Sequence, residues 1–173
     1  MVILIGLSLM KFAGPWFILL PSITLFASAF ILHELAHKFV AQSYGLWAEF
    51  RLNTFGVIIT LISILPFFFK IIAPGAVIIS GYATTKAIGK SAISGPLINI
   101  ILALILILFL PIVPIPFHII LRNGAYINTL IAFLNLLPFG MFDGYKVISW
   151  DKRVWVFVFL TSIILLFVIY IKL

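Results

Sequence analysis

The sequence predicts an all-α membrane protein, a polytopic helical bundle with one small membrane-associated β-element. Three observations predict it. Hydrophobic residues make up 65% of the 173 residues and charged ones only 9%, a balance far from that of a soluble domain. The few charges bound charge-free windows at 12–32, 52–69, 71–85, 91–121, 123–142 and 154–171. Several of these approach or exceed the roughly 20 apolar residues that cross a bilayer. No polar stretch is longer than a short loop, so 1–173 is expected to form a single transmembrane domain.

Taken in order, residues 1–13 form a short apolar piece ending near Lys11, too short for a full span, with Gly14-Pro15 as a breaker. No Ala-x-Ala cleavage site follows it, so it is expected to be retained. A helix is expected from about Pro21, a favoured first-turn residue, to about Tyr44, with Gly45 closing it. Roughly 24 residues at about 1.5 Å each reach about 36 Å, a full crossing. Residues 46–56 carry Glu49, Arg51, Asn53 and Thr54 and read as a loop. The apolar window 57–72 is interrupted by Pro66 and Lys70. The short β-branched run 76–80, including Ile78, is bounded by Gly75 and Gly81 and reads as a strand. At membrane depth a strand has to be buried in protein or line a wet cavity. Residues 57–82 are then either a hairpin of two crossings or a re-entrant element.

Lys86 and Lys90 mark a boundary before a span at 91–112, which Pro111, Pro114 and Pro116 close. His118 falls in the next loop and reads as an ordinary interfacial histidine. Arg122-Asn123-Gly124 reads as a turn, and the span from about 125 carries the run Asn135 to Gly144. Pro138 has no amide proton and Gly140 and Gly144 loosen the backbone, so a bent or unwound helix is expected there. The stretch 154–171 is a plain span.

A net charge of +7 would suggest nucleic acid in a soluble protein. Here the basic residues stand at the ends of apolar segments as topology signals, and no nucleic-acid partner is expected. Lys38, Arg51, Lys86, Lys90, Lys146, Lys152 and Arg153 share one side, which the positive-inside rule makes cytoplasmic. The absence of cysteine removes disulfides and thiolate ligands together. Any zinc site must use histidine and carboxylate.

His33-Glu34-Leu35-Ala36-His37 is the stretch that carries chemistry. Histidines four apart share a helix face, so both imidazoles can reach one metal ion. Glu34 lies beside them, within reach of a water on that ion rather than the ion itself. This is the zinc hydrolase arrangement of protein ligands, a general base and an open position. With three histidines and four acids in 173 residues, a chance match on a solvated helix face is a poor explanation. An unpaired charge at the centre of a membrane helix costs about 3 kcal/mol on insertion scales. The motif and Asp143 both fall near the cytoplasmic face, and this agreement in depth favours one shared site.

These residues resemble the site-2 protease family of intramembrane zinc metalloproteases. Three blocks carry the resemblance: His33 to His37, Gly95-Pro96-Leu97-Ile98-Asn99, and Asn135 to Gly144 in the pattern Asn-x-x-Pro-x-x-x-x-Asp-Gly. They span about 20–150, which the resemblance makes a three-helix catalytic core, with 154–171 as an extra C-terminal span. It implies His33, His37 and Asp143 as ligands of one Zn2+ and Glu34 as general base. It further implies Asn99 and Asn135 at the substrate or the oxyanion, and the strand of Ile78 as a clamp that holds substrate extended. The partners implied are transmembrane protein substrates and the lipid bilayer of a cell membrane. Phe142 stands where many relatives have leucine, and nothing in these residues resembles a PDZ or CBS module.

Two other functions fit part of the pattern. A transmembrane metal-ion transporter would use the same ligands but leaves Glu34 unexplained, and no inverted repeat is visible. A non-catalytic relative that binds membrane proteins would be expected to lack Glu34.

Overall fold

In the computed structural model, residues 16–52, 75–114, 117–140 and 142–172 are described. The expectations for residues 1–13 and for the path through 57–74 lie outside them. The first helix, α1 (Trp16–Ser43), starts five residues before Pro21. Pro21 therefore lies inside the helix, at the cost of one amide bond. It ends as expected: Gly45, at φ +72°, turns the chain out, and its amide returns to Gln42 O at 2.9 Å.

The chain then pairs where a loop was expected. Strand β1 (Trp47–Leu52) runs antiparallel to β2 (Gly75–Ser80), with Trp47 opposite Ser80 and Leu52 opposite Gly75. The strand expected at 76–80 is thus half of a two-stranded sheet. Glu49 and Arg51, the polar residues that suggested a loop, project from one face and pair with each other at 3.1 Å. Ala48 turns the other way and packs with Val77 and Ile79 against Ala41, Ala83 and Ala87.

Helix α2 (Thr85–Phe109) begins earlier than 91 because Thr84 caps it, its hydroxyl accepting the Ala87 amide at 3.2 Å. Lys86 and Lys90 belong to its first turns rather than to a boundary before it. Helix α3 (His118–Asn135) likewise absorbs the turn expected at Arg122-Asn123-Gly124. A polar run bends a chain only where backbone partners are missing, and here the helix supplies them. His118 opens α3 and bonds Val113 O at 2.9 Å, apart from the other two histidines.

The break expected around Pro138 is present. α3 stops at Asn135, and a short helix α4 (Asp143–Trp150) starts after it. The carbonyl of Leu136 freed by the break accepts from Trp155 Nε1 at 2.8 Å, and Trp155 lies on the last helix, α5 (Lys152–Lys172). Gly144 lies so close to the broken end that a Cβ would overlap the Leu136 and Leu137 carbonyls. The core joins these pieces: Ala92, Ile100 and Ala103 of α2, Ala125 and Ala132 of α3, Leu136 just after it, Val147 of α4 and Val158 of α5.

Candidate metal centre

His33 and His37 occupy one stripe of α1 with Ala29 and Ala41, and all four side chains are buried. Against it α2 sets a matching stripe at the same spacing of four: Ser91, Gly95 and Asn99, also buried. The small residues bring the backbones close. At Gly95 the approach is tightest, since an added Cβ would overlap Nε2 and Cε1 of His37 and Cε1 of His33. Pro96 has no amide to return to its own helix. In the turn before it, Ser91 O accepts from His37 Nδ1 at 2.7 Å, while Ser91 Oγ donates to His37 O at 3.0 Å. His33 Nδ1 bonds Asn99 Oδ1.

Asp143 enters at the first turn of α4, where the break in the α3–α4 chain aims it inward. Its Oδ2 lies 2.9 Å from His37 Nε2 and 3.6 Å from His33 Nε2. One turn on, Lys146 Nζ donates to Asp143 Oδ1 at 3.0 Å, which leaves Oδ2 to face the imidazoles. Asp143 is buried, so this carboxylate is held by partners on both oxygens.

These contacts test whether a metal fits. Ser91 O can only accept, so the proton of His37 is on Nδ1 and its Nε2 presents a lone pair. Asn99 Oδ1 imposes the same choice on His33. Two imidazole nitrogens 3.0 Å apart then face a carboxylate oxygen, an arrangement that repels unless a proton or a metal cation lies among them. One donor atom from each of His33, His37 and Asp143 falls within 4.8 Å of the others. Two imidazoles and one carboxylate form the donor set of a zinc site with an open position. They fit the ion.

Glu34 stands beside this group, half-buried, and its Oε2 accepts the Val77 amide at 3.2 Å. Strand β2 is thus laid against the motif. Because ladder bonding alternates along an antiparallel strand, a Val77 amide directed at α1 turns that of Ile78 toward its β1 partner Glu49. The outer-edge amides are thus those of Val77 and Ile79, and the amide of Ile78 is committed to the sheet.

A protein of Methanocaldococcus jannaschii named "putative zinc metalloprotease" is 41% identical over 135 residues, which cover 76% of this chain and 70% of that protein. The chain belongs to this zinc metalloprotease family. Its cofactor is Zn2+, and His33, His37 and Asp143 are the group that could hold one ion. No protein-family profile and no solved structure matches the metalloprotease.

The remaining site expectations fare differently. Asn99, expected at the substrate or oxyanion, is fully buried and stands behind His33, its Nδ2 donating to Ala29 O at 3.1 Å and Asn128 Oδ1 at 2.9 Å. Both ends of its carboxamide are used inside the protein. Asn135 ends α3, and its Nδ2 donates to Ile131 O at 3.0 Å. Lys146, Ser91, Val77 and Asn128 were not singled out as site residues in the sequence. The spacing of four through Ser91, Gly95 and Asn99 was the available signal for Ser91, and Asp143 to Lys146, three apart on a helix, for the lysine.

Proposed function

We infer that the protein is an intramembrane zinc metalloprotease of the site-2 type, hydrolysing peptide bonds within or near transmembrane segments of protein substrates. The observation that carries this reading is Glu34, held by an amide of a two-stranded sheet beside three converging metal donors. A transit site for metal ions has no use for such a base. Among the described residues two helices, Thr85–Phe109 and Lys152–Ile171, are long and apolar enough to cross a membrane. Lys38, Lys86, Lys90 and Lys146 lie on elements that meet around the donors, which supports a centre nearer the cytoplasmic face.

Bound zinc makes water nucleophilic near neutral pH and polarises a carbonyl beside it. Glu34 has Oε2 on the Val77 amide and Oε1 left to take the proton as water adds to the scissile carbonyl. The same carboxyl gives that proton to the departing nitrogen as the C–N bond breaks. His33, His37 and Asp143 would hold the ion, and Lys146, bonded to Oδ1, leaves Asp143 Oδ2 free to face it. A helical substrate must unwind to expose its peptide bond, leaving amides unpaired at several kcal/mol each in lipid. The outer edge of β2, through Val77 and Ile79, offers those amides partners.

The test is incubation of detergent-purified protein with an unfolded polypeptide, with and without a zinc chelator. Cleavage should require zinc and vanish in Glu34→Gln, with the zinc content of that variant unchanged. Parental cleavage by Glu34→Gln would sink the general-base role. Zinc flux into vesicles without any cleavage would favour a transporter instead.

A further inference from the structure

We propose that Asn128 is a positioning residue for the metal centre: acting through Asn99, beside the weaker hold of the Ala29 carbonyl, it selects the tautomer in which His33 offers Nε2 to the ion. The argument rests on the zinc assignment and on geometry, and stands whatever substrate is cut. A carboxamide can be turned end for end at almost no steric cost, so Asn99 by itself could present either Oδ1 or Nδ2 to His33. Presenting Nδ2 would force the proton of His33 onto Nε2 and remove a donor from the metal.

What decides between the two is a chain of buried bonds starting at groups that have no choice. Gly124 O can only accept, and it takes Asn128 Nδ2 at 2.9 Å. Asn128 Oδ1 therefore faces Asn99 and accepts its Nδ2 at 2.9 Å. Ala29 O, another obligate acceptor, takes the same Nδ2 at 3.1 Å. Asn99 Oδ1 is left for His33 Nδ1. Asn99 and Asn128 are both buried, at 0% and 3% exposure, so water does not compete for these bonds. His37 needs no such device, because its Nδ1 bonds the Ser91 carbonyl directly. The relay crosses three helices, α3 to α2 to α1, and ties the His33 tautomer to the packing of α3. Partners of this kind on a ligating histidine change metal affinity about 10–100-fold when lost.

The experiment uses the full chain in detergent, with Asn128→Leu, which keeps side-chain bulk and removes the acceptor. The nitrogen-15 shifts of labelled histidines in zinc-free protein report which ring nitrogen carries the proton, and titration with zinc reports affinity. The parent should show His33 and His37 protonated on Nδ1. Asn128→Leu should shift His33 toward Nε2 protonation, leave His37 as it was, and bind zinc about 10–100-fold more weakly. An Asn99→Asp background controls for simple damage, since a carboxylate at 99 accepts at either end and needs no relay. There Asn128→Leu should leave the His33 tautomer and the zinc affinity unmoved. An unchanged His33 tautomer in Asn128→Leu alone would overturn the proposal. So would an equal loss of affinity in both backgrounds, which would make Asn128 a packing residue. Absence of cleavage by the parent, with the tautomer and affinity shifts as expected, would count against the protease reading and leave the relay standing.

Discussion

At Gly95 one methyl group decides whether the centre can form. Its Cα faces both imidazoles across the α1–α2 contact, and a Cβ there would occupy the volume of the His37 ring edge. Helix propensity favours Gly95→Ala by up to about 1 kcal/mol, which offsets part of an overpacking cost of about 1–3 kcal/mol. The expected outcome is a folded protein whose zinc affinity falls about 10–100-fold, as for other losses of ligand alignment. Zinc titration beside a melting curve measures both; parental affinity would show that the helices separate to make room. Asp143→Ala should be more severe, removing most of the bound zinc by elemental analysis. Full retention in that variant would take Asp143 out of the site. The ligand pair was legible in the sequence because a spacing of four needs only one helix. The partners of Asn99 were not legible, for the opposite reason. Its role depends on Asn128 and Ala29, 29 and 70 residues away, and no local pattern records such a meeting.

At the scale of elements, the break between α3 and α4 was legible and the start of α2 was not. Pro138 removes an amide wherever the chain goes, so its effect is local. Lys86 and Lys90 looked like a boundary because charge was weighed against membrane depth, yet Thr84 could have marked the true start. β1 was misread for a related reason: Glu49 and Arg51 suggested solvent, although their separation by two is the period of a strand face. The sheet these strands build leads to a paired prediction. Val77→Pro removes the amide that holds Glu34 and leaves the bonds to β1, whereas Ile78→Pro removes a donor inside the ladder. Val77→Pro should lower cleavage with zinc content and melting temperature near the parent. Ile78→Pro should lower melting temperature and cleavage together. If Val77→Pro cleaves at the parental rate, the Val77 amide does not orient the base. Trp155→Phe tests the other joint, since it frees Leu136 O of its partner and should cost about 1 kcal/mol of stability.

At the scale of the whole molecule the question is what surrounds α2 and α5. Their buried faces meet in one core, but their outer faces are apolar as well: Leu108 is 70% exposed, Phe157 73%, Ile164 62% and Phe167 65%. A soluble protein rarely leaves so continuous an apolar surface open, and lipid is the solvent that suits it. Ile164 stands near the middle of α5, away from the metal donors, and so separates the two environments cleanly. In water, an arginine on an exposed helix face changes stability by within about 0.5 kcal/mol. At the centre of a bilayer the same side chain costs about 3 kcal/mol on insertion scales. Ile164→Arg is therefore expected to lower the fraction of protein retained in carbonate-washed membranes, while Lys152→Arg at the helix start leaves it unchanged. Equal retention of both variants, or recovery of either in the soluble fraction with its zinc, would mean that α5 packs against protein rather than lipid.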